Sequence, residues 1–287
     1  MGRSGGMAGA LYVVSTPIGN LEDLTARAAS VLRDVSVCYA EDTRRTGRLL
    51  VHLGCDVPLR SLHAHNEAER VEELLGRLEA GEDCALATDA GTPTVSDPGR
   101  RVVEAVHRRD YAVVPIPGPS AVTAALAASG LPADRFVFLG FPPRRGRARE
   151  EWMERLSRSP ITVVVFESPR RLERLLVNLN EAGLSERECV LCRELTKLHE
   201  EVQRDSIRRL MDRWVGETVR GEVTLVIAGN ETETTERDEE AVERAVREMA
   251  RKGSSTRDIV DRLYEEFGIP RNEAYEIGLG AESSEDA

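Results

Sequence analysis

The strongest constraint on this chain is an alternation that runs through most of its length. Short apolar runs recur at 11–14, 35–40, 59–62, 84–88, 112–116, 136–140, 161–166, 189–192 and 223–228, and amphipathic stretches separate most of them. Within 67–78, Val71, Leu74, Leu75 and Leu78 share one helical face; within 171–179, Leu172, Leu175, Leu176 and Leu179 do the same. Strand–helix alternation of this kind predicts an α/β fold with a largely parallel sheet. Nine runs are many for one doubly wound sheet, and Pro117, Gly118 and Pro119 punctuate the chain after the fifth. We therefore expect two α/β domains, 11–117 and 118–229. The segments 201–204 and 223–228 lack a long helix between them, so the second sheet is expected to end in antiparallel pairs. Residues 1–10 read as a flexible N-terminus, and 230–287 as an acidic linker leading into a small helical domain. There Ile259, Val260, Leu263 and Phe267 form a helical stripe, and Gly268 then Pro270 mark a stop followed by a start.

Composition narrows the function classes. With 41% apolar and 31% charged residues a real core is available and wholesale disorder is excluded. Aromatic residues are 4% of the chain, too few for a protein that holds single-stranded nucleic acid mainly by base stacking. No run approaches the length of a membrane span, and the first ten residues lack the apolar core of a secretory signal. Cys38, Cys55, Cys84, Cys189 and Cys192 are scattered and read as buried, reduced thiols; Cys189 and Cys192 form a lone CxxC without a second pair. The net charge of −11 is concentrated: residues 230–287 carry −9 and the rest only −2, so overall acidity does not exclude a nucleic-acid partner.

Three turns follow strand-like runs: TPIGN at 16–20, DAGTP at 89–93 and PGPS at 117–120. In open α/β sheets, ligands sit beyond the carboxyl ends of the strands. Small residues there let a ligand meet main-chain N–H and C=O groups directly. Such contacts suit an adenosine or amino-acid moiety, although each turn alone also serves as a plain strand-to-helix connection. The chain has no Gly-Lys-Ser or Gly-Lys-Thr and no GxGxxG, so triphosphate hydrolysis and dinucleotide redox chemistry find little support.

The segment EDTRRT at 41–46 brings Glu41, Asp42, Arg44 and Arg45 to a strand end. It reads either as a helix start capped by Asp42 or Thr43, or as a substrate-facing patch with an arginine on a phosphate and a carboxylate on a hydroxyl or amine. His63 and His65 have no matching Cys/His pair and Asn66 reads as a helix opening, so no metal is expected. Lys197 and Lys252 are the only lysines beside 37 arginines. A lysine can lose its proton when buried and an arginine cannot, which makes Lys197, just past a strand end, a chemical candidate. Arg144, Arg145, Arg147 and Arg149 form a basic cluster suited to phosphates or to plain solvation.

Taken together, LYVVSTPIGNLEDLT (11–25), AEDTRRTGRLL (40–50), SLHAHNE (61–67), TDAGTPTVSDPG (88–99), PIPGPSA (115–121), GFPPRRGR (140–147), FESPRRL (166–172) and CRELTKLHEE (192–201) resemble the bacterial ribosomal RNA small-subunit methyltransferase I family. That family belongs to the tetrapyrrole-methylase superfamily, the class III methyltransferases. The resemblance covers about 11–229 in order, and the last segment fits the family's smaller C-terminal domain more loosely. It implies two α/β domains of class III type, with S-adenosylmethionine folded into the cleft between them. It further implies a cytoplasmic homodimer that methylates a cytidine 2′-hydroxyl of 16S ribosomal RNA, as naked RNA or in a ribosomal particle, with no membrane or DNA partner. Carried over position by position, the cofactor meets Asp89, Ala90, Gly91, Ser120, Ala121, Ala124, Phe166 and Glu167. Lys197, Asp42 and Glu41 are the catalytic candidates, and Arg44, Arg45, Arg144, Arg145, Arg147 and Arg149 the RNA-binding ones. The turn at 16–20 lacks the glycine-rich opening of the tetrapyrrole-modifying branch, which counts against a porphyrinoid substrate. A small-molecule methylase, a nonenzymatic RNA-binding assembly factor and a two-metal phosphohydrolase are the competing readings; the last would need a denser carboxylate set than Glu41, Asp42, Asp89 and Asp97.

Overall fold

Five strands, β1 (Ala10–Val14), β2 (Val37–Ala40), β3 (Leu59–Ser61), β4 (Cys84–Ala87) and β5 (Ala112–Ile116), pair in parallel in the order β3-β2-β4-β1-β5. The computed structural model describes residues 8–63, 66–230, 239–252, 254–267, 269 and 271–283. The first seven residues of the expected N-terminus, His65, the linker at 231–238 and the Gly268 and Pro270 signal lie outside the described residues.

Helices α1 (Ala26–Asp34) and α2 (Thr43–His52) pack with Ala85 and Ala87 on one face of this sheet, and α3 (Glu67–Glu79) and α4 (Arg100–Arg108) pack with Cys84 and Leu86 on the other. The alternation of strand side chains puts consecutive residues of β4 into the two different cores. From β1 the chain steps toward β2 and β3, then from β3 it steps back through β4 to β5. Because the helices change face when the direction reverses, all four crossovers keep one hand, as the right-handed rule requires. The connections leaving adjacent β1 and β4 therefore diverge, and a crevice opens beyond their carboxyl ends.

The helix after β5, α5 (Ala121–Ser129), packs on a second sheet, where Val122, Ala125 and Leu126 meet Val164, Val190, Cys192 and Val226. That sheet comprises β6 (Phe136–Phe138), β7 (Thr162–Glu167), β8 (Glu188–Arg193), β9 (Glu201–Ser206) and β10 (Val223–Ile227), in the order β6-β7-β10-β8-β9. Only β6 and β7 are parallel; the other pairs are antiparallel. Its other face is covered by α6 (Arg147–Arg158), α7 (Pro169–Leu179) and α8 (Ile207–Trp214). The helix between β9 and β10 is short, as expected: its eight residues return the chain to the centre of the sheet, and the last pairs are antiparallel. Cys189 and Cys192 fall in the two opposite cores of this sheet, since three residues along a strand reverse the face, so the CxxC cannot converge on one ion. Burial raises the Cys189 thiol and pushes Cys38 up to about 12.

By compactness the chain divides at Ala228. The second unit holds α9 (Glu239–Arg251), α10 (Thr256–Phe267) and α11 (Arg271–Ser283) around Val242, Val246, Met249, Ile259, Leu263 and Ile269. No helix among the described residues is long and apolar enough to cross a membrane.

Candidate active site

The turns after β1, β4 and β5 are stitched into one floor. Thr16 and Gly91 exchange both main-chain hydrogen bonds, at 2.9 and 3.0 Å. Thr16 Oγ1 donates to Thr88 O at 3.0 Å, the Ser15 and Thr92 hydroxyls meet at 3.0 Å, and Thr92 Oγ1 donates to Pro119 O at 3.3 Å. Gly91 stands at φ +87°, in the left-handed region that costs any residue with a Cβ. Space there is ample, since a Cβ would meet nothing nearer than Ile18 Cγ2 at 3.5 Å. Gly118 answers the opposite need, because a Cβ on it would stand 2.9 Å from Ser15 Cβ. Ser120 precedes α5 without making a side-chain cap, and Ala121 and Ala124 are half-buried on the first turn.

Carboxylates gather beside this floor. Asp89 Oδ1 accepts from the Asp42 main-chain N–H at 2.9 Å, and its other oxygen lies 3.5 Å from Arg45. Glu41 accepts from the Thr88 hydroxyl at 3.3 Å. Burial, then the Asp89 charge, raises the Glu41 carboxyl. Asp97 is pushed up to about 6, first by burial and then by Glu41, Asp89 and Glu222, against a lowering hydrogen bond from Thr88. Asp42 behaves differently. It caps α2 and takes Arg44 Nε and Nη2 at 3.0 and 2.8 Å, and these bonds hold it down at about 2. Arg44 is thus turned outward onto the cap, whereas Arg45 and Arg48 line a pocket of about 140 Å³ with Thr16, Thr88 and Asp89. The helix-start reading of 41–46 describes Asp42 and Arg44; Arg45 instead lines the pocket, with Glu41 beside it on Thr88.

Across the crevice lies the turn after β8. Four of the five non-glycine residues at positive φ among the described residues sit in the two facing loops: Thr94 and Ser96 on one, Glu194 and Thr196 on the other. Strain of this kind costs of order 1–3 kcal/mol per residue and gathers at binding and catalytic sites. The Lys197 side chain packs on Gly19, where no Cβ would fit, so the second sheet's turn closes on the first sheet's. Its Nζ lies 2.8 Å from Glu194 Oε1 and 3.0 Å from Glu222 Oε2. Burial works against the Lys197 charge, but the two carboxylates outweigh it and raise the pKa. An ammonium so held favours a fixed cation over a neutral-amine base at Lys197.

Phe166 and Glu167 cannot share one pocket, because consecutive residues of β7 face opposite ways. Phe166 lies on the α5 side, with Phe138 and Phe141 rings at 4.8 and 5.5 Å. Glu167 is buried on the α6–α7 side, where its oxygens take Arg171 Nε and Nη2 at 2.7 and 2.9 Å and the Ser168 N–H at 2.7 Å. Its carboxylate is spent on Arg171, so the cofactor role expected of it is withdrawn. Arg144 and Arg149 line two adjoining hollows on that same side and Arg145 lines one of them, while Arg147 is exposed and paired with Glu151. Asn66 opens α3 as its N-cap residue, but without a side-chain cap bond; its Oδ1 accepts instead from the His63 N–H at 2.8 Å. Among the described residues no group of three or more His, Cys, Asp or Glu could hold a metal ion. Sequence reasoning gave Asp97, Glu194 and Glu222 no site role; Asp97 sat in plain view in the 88–99 motif, but nothing local marks Glu222 as a partner of Lys197.

The family model of the Tetrapyrrole (Corrin/Porphyrin) Methylases matches residues 10–211. Among solved structures, diphthine synthase superposes with a TM-score of 0.61 at 17% identity, over 76% of this chain and 90% of that one. A cobalt precorrin-4 methyltransferase gives 0.59 at 19%, over 76% and 94%. The family model thus places the chain among the tetrapyrrole methylases, and the solved structures share its fold; identities this low carry the fold and not the substrate. Sequence relatives say more. "Ribosomal RNA small subunit methyltransferase I" of Synechocystis sp. is 41% identical over 276 residues, 96% of this chain and 99% of that protein. The protein of the same name from Micromonospora olivasterospora is 42% identical over 279 residues, 96% and 89%. The chain belongs to the ribosomal RNA small subunit methyltransferase I family.

Proposed function

We propose that this protein transfers a methyl group from S-adenosylmethionine to the 2′-hydroxyl of a cytidine in 16S ribosomal RNA. The observation that carries the reading is the extent of the likeness: relatives named for small-subunit ribosomal RNA methylation match nearly the whole chain. The stitched crevice fits the cofactor. It offers main chain through Ala90 and Gly91, an uncapped helix start at Ser120 with small residues at 121 and 124, an acid at Asp89 and an aromatic wall at Phe166. When bound there, S-adenosylmethionine supplies a methyl group already activated on a sulfonium.

The chain's own residues then have three tasks. Alignment of the two reactants is worth roughly 7–11 kcal/mol in favourable cases, and the strained 94–96 and 194–196 turns hold the walls that impose it. Glu41, in concert with Asp97, accepts the hydroxyl proton; a positioned base contributes about 10²–10⁴-fold. Lys197 stays charged and holds a phosphate or orients the ribose, and Arg45 adds a second cation at the crevice. We read 11–117 and 118–229 as the two domains and the protein as a cytoplasmic homodimer. Incubation with labelled S-adenosylmethionine and small-subunit particles, followed by nucleoside mass spectrometry, tests the reading. Label in one 2′-O-methylcytidine of 16S RNA is expected, and label elsewhere or none overturns it.

A further inference from the structure

On the α6–α7 side of the second sheet, the 140–146 loop and the first turns of the two helices enclose adjoining hollows of about 280 and 340 Å³. They share Arg144, Arg149 and Arg174, and Arg170 and Arg171 complete the first. Charge here is unequal: six arginines line the two hollows against two acids, Glu150 and Glu167. Arg171 alone has a buried acid, Glu167. Arg144, Arg170 and Arg174 pair with no acid among the described residues. Arg149 donates to Pro143 O at 3.0 Å and to Asn178 Oδ1 at 2.8 Å, neutral acceptors that aim its guanidinium without cancelling it. Burial, and then Arg174 opposite, lowers the Arg149 pKa. Like charges converging on a partly buried hollow repel one another until an anion completes them. Several guanidinium forks around one space match an oxyanion with more than two oxygens, which is a phosphate rather than a carboxylate.

The hollow is tied to the crevice by the chain itself. A Cβ on Gly140 would lie 3.6 Å from Ser96 Oγ, and Phe141 meets the Phe166 ring. Two residues later Pro142 O accepts from Arg171 and Pro143 O from Arg149. From Gly140 to Arg144 the chain can reach at most roughly 14 Å. One polynucleotide can therefore occupy both places. The adjoining hollows, open to solvent, suit a continuous strand better than a lone small phosphate.

We infer that Arg144, Arg149, Arg170, Arg171 and Arg174 grip a backbone phosphate of the RNA strand whose target ribose lies in the crevice, with Glu167 fixing the fork of Arg171. The inference rests on the reading of an RNA substrate and adds a second grip, three of whose arginines lie on α7. It is tested by filter binding of 16S ribosomal RNA between about 50 and 200 mM salt. In Arg170→Ala/Arg174→Ala, the slope of log affinity against log salt should fall by about 0.7, the value for one phosphate contact on a single strand. S-adenosylmethionine affinity should not change, which certifies the fold. Arg170→Lys/Arg174→Lys should restore most of the slope, and Arg108→Ala/Arg158→Ala, which removes equal charge from exposed ion pairs elsewhere, should leave it intact. An unchanged slope in the first variant, or an equal loss in the control, overturns the pocket. A wild-type protein that fails to bind 16S RNA at any salt overturns instead the functional reading beneath it.

Discussion

The two sheets contribute to the site in opposite currencies. The first is all parallel, with helices on both faces, and it presents main chain: turns of small residues whose polar groups bond one another and whose carboxyl ends form a floor. The second is mostly antiparallel and presents long side chains: Lys197 between two glutamates on one side, five converging arginines on the other. A parallel sheet collects all its strand ends at one edge, so a ligand can be held by backbone alone. A mixed sheet disperses its ends, and specificity there has to come from guanidinium and ammonium groups. The difference predicts that first-sheet changes act on chemistry and cofactor, and second-sheet changes on RNA.

The largest effect should come from Glu41→Gln. Single-turnover rate should drop about 100-fold or more with cofactor and RNA affinities intact; an unchanged rate moves the base elsewhere. Gly91→Val comes next. A β-branched residue at φ +87° costs about 1–3 kcal/mol, so calorimetry should show S-adenosylmethionine affinity reduced by up to about 100-fold with RNA binding retained. Normal affinity would remove the 91 turn from the cofactor wall. Lys197→Ala should lose about tenfold, chiefly as weaker RNA binding, while Lys197→Arg keeps most activity. Equal losses in rate for both would restore Lys197 as a base. A smaller effect concerns pH. Asp97 titrates near 6 in the folded chain against an ordinary 3.8, so the fold favours its protonated form. That contribution is complete below about 4 and is lost as pH rises through about 6. Asp97→Asn should accordingly match the wild type in thermal midpoint at pH 4 and exceed it at pH 7, and the wild-type rate should rise with pH across the same range. Smallest of all, a chain ending at Asn230 should bind S-adenosylmethionine as the whole chain does; lower affinity would bring the C-terminal unit into the comparison.

Much of this was legible in the sequence because the signals were local. The leucines of α3 and α7 repeat at helical spacing, and the glycines and prolines of three turns sit directly after apolar runs. β9 shows no apolar run, because a polar edge strand, EVQRDS, has little apolar face, and only 201–204 is legible as its segment. The site was legible to the same degree. Gly91 and Ser120 announce themselves as turn residues. That Asp42 would spend itself on Arg44, or Glu167 on Arg171, depended on rotamers two to four residues away. The clamp on Lys197 joins positions 194, 197 and 222, the last of them on a different stretch of chain, and no spacing rule reaches that far.

The place of β10 has a consequence for synthesis. The first sheet is a contiguous stretch whose last strand, β5, adds at an edge, so it can close as soon as residue 116 has left the ribosome. The second sheet receives its last strand in the middle, between β7 and β8, and all five residues of β10 are buried. Until 227 emerges, β7 and β8 have no neighbour to join them and the leucines of α7 have half a core. The nascent chain thus carries a closed sheet beside an open one until residue 227 emerges, an interval in which its exposed apolar strands favour aggregation.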